Sequence, residues 1–93
     1  DIEYIADRIM IMKDGRILQE ANARHICKPI KDFVWTLKVN ADEVDDYSKK
    51  YLVSNLKHSD GFVELRIVSE RKPLEKAINV LANLEDLYLW YFK

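Results

Sequence analysis

Asp14-Gly15 stands between two apolar runs, Ile9-Met10-Ile11-Met12 and Ile17-Leu18, and this leaves the front of the chain little freedom. Both residues of an Asp-Gly pair tolerate positive φ, so the pair closes a tight hairpin between two strands. All four residues of the first run are apolar, so that strand belongs in a sheet covered on both faces. Residues 16–20 form the returning strand. Residues 1–7 read as the end of a helix, too few to persist alone because nucleation is costly. The chain thus opens inside an element, without an initiator Met, as a piece of something longer does.

Residues 21–31 read as a short helix followed by a linker ending near Pro29. Beyond them the rhythm is clear. Residues 32–39 alternate, with Phe33, Trp35, Leu37 and Val39 on one face and Val34, Thr36 and Lys38 on the other, as in a half-buried strand. Asn40 is placed as an N-cap with Glu43 as its capping-box partner. Val44, Tyr47 and Tyr51 make the buried stripe of the helix that follows. Asp42 and Glu43 at its start and Lys49 and Lys50 at its end suit the helix dipole. Residues 52–58 read as a second strand, Ser59-Asp60-Gly61 as a turn and residues 62–68 as a third strand, with Val63, Leu65 and Ile67 inward. Pro73 suits the first position of a second helix, whose stripe is Leu74, Ala77, Ile78 and Leu81. Residues 87–92 read as a last strand. The order over residues 32–93 is β-α-β-β-α-β, an α+β fold of the ferredoxin-like kind with both helices on one face of an antiparallel sheet. The last strand is expected beside the first.

That last strand supplies the one unusual surface. With Leu87, Leu89 and Tyr91 inward, Tyr88, Trp90 and Phe92 point to the helix-free face, where Phe62 and Val34 join them and Glu64 and Arg66 interrupt the patch. Large apolar patches mark partner surfaces, so Phe62, Tyr88, Trp90 and Phe92 are the candidate interface. The alternative is that residues 1–31 cover these aromatics within the chain.

Other chemistry finds little support. Net charge is −1, from 15 basic and 16 acidic residues, which argues against nucleic acid. Glu64 and Arg66 also stand where an RNA-recognition sheet needs outward aromatics. His25 and Cys27 are two residues apart, but a zinc site needs further ligands. The single cysteine permits no intrachain disulfide, which suits a reducing compartment. With Gly15 and Gly61 as its two glycines, the chain cannot hold a glycine-rich phosphate loop. No catalytic, cofactor or metal residue is assigned.

The string Glu3-Tyr4-Ile5-Ala6-Asp7-Arg8-Ile9-Met10-Ile11-Met12-Lys13-Asp14-Gly15-Arg16-Ile17-Leu18 closely resembles the segment after the switch histidine in ABC-transporter ATP-binding subunits. Asp7, Arg8, Ile9, Ile11, Met12, Gly15, Arg16 and Ile17 fill that family's slots. The opening looks most like the bacterial antibiotic- or lantibiotic-export type. The likeness fades after Glu20. It implies that residues 1–27 end an ATPase domain, that residues 28–31 are a linker and that residues 32–93 are an accessory C-terminal domain. The parent would use ATP and Mg to drive transport, on the cytoplasmic side of the membrane and beside a membrane-spanning subunit. This portion would be non-catalytic, with no cofactor of its own, and would pack on the rest of the ATPase domain, dimerise or regulate. Exposed strand edges suggest a homodimer.

A second class is a small-molecule-sensing regulatory module of the ACT-like kind, which shares the βαββαβ order. Its ligand loop after the first strand favours glycine, and here that loop is Asn40-Ala41-Asp42.

Overall fold

The computed structural model describes residues 2–93. Asp1, where the expected opening helix begins, lies outside the described residues. The fold is α+β, with two antiparallel sheets and two α-helices among the described residues.

The first sheet has the order β1 (Ile2–Ile5), β2 (Arg8–Lys13), β3 (Arg16–Asn22). The Asp14-Gly15 hairpin forms as expected, with φ of 52° and 76° at its two residues. The expected helix over residues 1–7 does not form. Residues 2–5 are a strand instead, with Ile2 opposite Ile11 and Tyr4 opposite Ile9. Four residues cannot sustain a helix, whereas β2 has a free edge whose backbone needs partners. Ala6-Asp7 make the turn, with Ala6 at φ 55°. Residues 23–27 are turns rather than a helix, and the expected linker contains a 3-10 helix, Lys28–Ile30, with Ile30 wholly buried.

The second sheet has the order β5 (Leu52–Ser59), β6 (Phe62–Val68), β4 (Val34–Val39), β7 (Ile78–Asn79). Helix α1 (Val44–Lys50) joins β4 to β5 and follows a 3-10 turn, Ala41–Glu43. Glu43 Oε1 accepts a hydrogen bond from the Asn40 amide at 2.9 Å, the reciprocal half of the expected cap. Val44, Tyr47 and Tyr51 pack on Leu37, Val39, Val63, Leu65 and Ile67, the face that alternation assigned to the core.

The last quarter departs from expectation. Residues 73–81 are not helical. Ile78–Asn79 extend along β4, with Asn79 opposite Trp35, and Asn79 Nδ2 donates to the carbonyls of Asp32 and Val34. The Val80 amide donates to Val34 O at 2.9 Å. An extended segment satisfies the free edge of β4 along its main chain and through the Asn79 amide group, which a helix there cannot do. Of the expected stripe, Ala77 is buried and Leu74 half-buried, but Ile78 and Leu81 lie exposed.

Residues 87–92 are not a strand either. They lie in helix α2 (Leu84–Phe92). Asn83 Oδ1 accepts from the Asp86 amide, and Asp86 Oδ2 accepts from the Asn83 amide, each at 2.9 Å. This reciprocal cap starts the helix. A short, wholly apolar run carries no periodicity that separates strand from helix, and the cap decides it.

Helix α2 then sits in the seam between the sheets. Leu87 is fully buried, in one cluster with Ile9 and Ile11 from the first sheet, Ile26 and Ile30 from the connection, and Val34 and Val68 from the second sheet. Ile9, Ile11, Ile26 and Ile30 thus reach the Val34 and Val68 end of the face opposite α1 together with α2.

Candidate functional site

The four aromatics of the expected interface do not form one patch. Phe62 lies on the face of the second sheet that carries α2, but at its far end, where Lys38 Nζ stands 4.9 Å from its ring centroid. Tyr88, Trp90 and Phe92 come from α2, and a helix separates them by turn rather than by alternation. Tyr88 and Phe92, four apart, stack with centroids 4.4 Å apart. Trp90 turns the other way and packs on Phe33 at 5.5 Å, with Lys93 Nζ 3.7 Å from its ring centroid. Trp90 and Phe92 are partly buried against the core shared by the two sheets. Tyr88 is the one exposed member. It borders a groove of ≈ 640 Å³ formed with Ile2, Tyr4, Val53, Leu84 and Leu89.

What anchors these aromatics was not legible as a site. Asp86 is completely buried. Arg66 reaches it from β6 in a two-pronged pair, Nε to Oδ1 and Oδ2 at 3.1 Å and Nη2 to Oδ2 at 2.9 Å. Ser54 Oγ donates to Oδ1 at 2.6 Å, and Arg66 Nη2 also donates to Leu81 O at 2.6 Å. Ser54 stands where the register between β5 and β6 slips, between Val53 and Asn55. That bulge re-aims a side chain, here toward α2. The expectation that Arg66 interrupts a surface patch therefore gives way to a role as dock for the helix. One signal existed in the sequence: Asn83 three residues before Asp86.

Asp86 Oδ1 accepts from Ser54 and Arg66, and Oδ2 from Arg66 and the Asn83 amide, so both oxygens are engaged within the fold. No buried side-chain nitrogen or oxygen among the described residues lacks a partner. This is the pattern of a structural pair, which fixes where a helix sits.

His25 and Cys27 do not converge on a metal. His25 Nδ1 lies 2.9 Å from Asn22 Oδ1, which also accepts from the amides of Arg24 and His25. Among the described residues no group of three or more His, Cys, Asp or Glu side chains could hold an ion. Burial, and then the Asp86 carboxylate, push the Cys27 thiol above its ordinary pKa, which disfavours the nucleophilic thiolate. Burial also raises the Tyr91 phenol, whose hydroxyl donates to Gln19 Oε1 at 3.2 Å and ties α2 to β3.

No helix among the described residues is long and apolar enough to cross a membrane. No protein-family model, no curated protein and no solved structure matches the chain.

Proposed function

We propose that the chain is the C-terminal portion of an ABC-transporter ATP-binding subunit, non-catalytic in itself and serving to pack the ATPase domain against a C-terminal unit. The observation that carries this reading is the segment of residues 7–18. A strand Arg8–Lys13, an Asp14-Gly15 turn and a returning strand from Arg16 are compatible with the resemblance to ABC ATPases, although Ile2–Ile5 form a strand where that resemblance implies a helix. The parent couples ATP binding and hydrolysis, with Mg, to transport at the cytoplasmic side of a membrane-spanning partner.

The seam filled by Leu87 supports the packing role, because residues from both parts of the chain share one core. For residues 32–93, the sheet order β5-β6-β4-β7 supports a ferredoxin-like plan, with β7 in the slot of the fourth strand. The second crossover helix of that plan is replaced by irregular chain, and α2 is added at the end. Dimerisation is supported by β1, an edge strand among the described residues, on which Tyr4 and Ile5 are exposed.

The test is coupled ATP hydrolysis by the parent subunit with its membrane partner, with and without residues 32–93. Packing as the role predicts lost coupling or lost folding on deletion. Unchanged coupled activity, or a parent that hydrolyses no ATP, refutes the proposal.

A further inference from the structure

A second groove, of ≈ 550 Å³, opens at the end of the molecule where α1, the chain after β6 and the end of α2 meet. Its wall carries Lys50, Arg71, Lys72 and Lys93 against a single acid, Glu70. All four cations are exposed, and none is in an ion pair among the described residues. The chain as a whole has a net charge of −1, so this is a local concentration of positive charge. The other wall is aromatic. Tyr51 and Trp90 are half-buried there, with Lys50 Nζ 5.5 Å and Lys93 Nζ 3.7 Å from the respective ring centroids.

The segment bearing Arg71 and Lys72 is held rather than loose. The Ser69 amide donates to Phe33 O at 2.7 Å, and Trp35 Nε1 donates to Ser69 O at 2.9 Å. Ser69 Oγ donates to Arg71 O at 2.7 Å and accepts from the Arg71 amide at 3.3 Å. At the far end, Tyr51 Oη donates to Pro73 O at 3.1 Å. These bonds fix the backbone from which both side chains project, so part of the ordering cost of binding is met before a ligand arrives.

Lys50 has a simpler role as the cation at the C-terminus of α1, which the helix dipole favours. Lys93 likewise follows the C-terminus of α2 as its cap residue, whereas Arg71 and Lys72 lie outside any helix. Four cationic side chains, against one acidic side chain and the terminal carboxylate of the 93-residue chain at Lys93, leave the wall net positive, which suits an anion, and an arginine fork matches oxyanions. The aromatic wall suits an apolar or ring-bearing portion of the same molecule.

We propose that this groove binds a phosphate monoester with an apolar portion, the phosphate at Arg71 and Lys72 and the apolar part against Tyr51 and Trp90. This does not depend on the identity of the parent. A soluble ester and a phosphatidic acid headgroup share that chemistry.

The test uses the full 93-residue chain. Phenyl phosphate is titrated at low ionic strength while backbone amides and the indole N–H of Trp90 are followed by NMR. In parallel, flotation with phosphatidylcholine vesicles, with and without phosphatidic acid, tests the lipid source. Saturable shifts confined to Ser69, Arg71, Lys72 and Trp90 support the proposal with a soluble ligand. Flotation only with phosphatidic acid supports it with a lipid ligand. In either case Arg71→Ser with Lys72→Ser should weaken binding by about tenfold or more while the spectrum elsewhere stays native. Lys31→Ser with Lys57→Ser should leave it unchanged. Failure to bind either probe, or equal binding by the Arg71/Lys72 variant, overturns the proposal.

Discussion

Replacing Asp86 by Ala should be the most damaging single change to a polar side chain. The carboxylate is fully buried and takes hydrogen bonds from Arg66, Ser54 and the Asn83 amide. Its removal leaves the Arg66 guanidinium without its counter-charge, the Ser54 hydroxyl without its short acceptor and the helix without half of its cap. Breaking a buried pair from one side costs about 3–5 kcal/mol. The Arg66 side chain remains 22% exposed and can recover some hydration, so the low end, about 3 kcal/mol, applies. A chain of 93 residues has a total stability of about 5–14 kcal/mol. One substitution thus removes a large share of it. Urea unfolding of the 93-residue chain, followed by far-UV circular dichroism, measures the change as a shift in midpoint at constant slope. A cycle with Arg66→Met separates the pair from the cap. We expect a coupling energy of about 1–3 kcal/mol between the two positions. We also expect Arg66→Met with Asp86→Leu to be more stable than Asp86→Ala alone, because no buried charge is stranded. A loss below about 1 kcal/mol for Asp86→Ala, or strict additivity in the cycle, would refute the claim that this pair docks α2.

Three further outcomes follow from the same structure. Leu87→Ala should cost about 2–5 kcal/mol in urea unfolding, since the side chain is wholly buried between the two sheets; a loss below that range would mean that the seam collapses around the gap. Gly15→Ala should cost about 1–2 kcal/mol although a Cβ meets nothing within 4 Å, because φ at Gly15 is 76°; a neutral result would place the turn in another conformation. Cys27 links stability to alkaline pH, its thiol being raised above the ordinary value in the folded chain. Below that value both states are protonated and its contribution is complete. As pH climbs past it the unfolded chain ionises first, so stability falls until the folded thiol titrates. Cys27→Ala should reduce this alkaline loss in the urea midpoint, and identical pH profiles for the two proteins would refute the assignment.

Much of this architecture is written in local pattern. The Asp14-Gly15 hairpin, the Asn40–Glu43 capping box on the turn that leads into α1 and the inward face Val63, Leu65 and Ile67 each follow from a few adjacent residues. In each case turn chemistry, capping or strict alternation points to one conformation, and tertiary packing agrees with it. Residues 2–5 and 84–92 carry weaker signals, because no periodic stripe distinguishes strand from helix there, and over residues 73–81 a helical stripe, Leu74, Ala77, Ile78 and Leu81, is overridden by the neighbouring sheet edge. Their states depend on what lies beside them. The open edge of β2 draws Ile2–Ile5 into a strand, and the open edge of β4 draws in Ile78–Asn79.

The candidate site divides in the same way. That the aromatic tail is the notable apolar feature is legible from Tyr88, Trp90 and Phe92 alone. Which way each ring points is not, because the direction changes entirely between a strand and a helix. Arg66 and Asp86 are twenty residues apart, and Ser54 comes from a third element, aimed by a slip in strand register. A pattern of neighbours in sequence cannot encode such a meeting. It arises because burying Leu87 between two sheets brings the start of α2 over β6, where a buried carboxylate must find a cation.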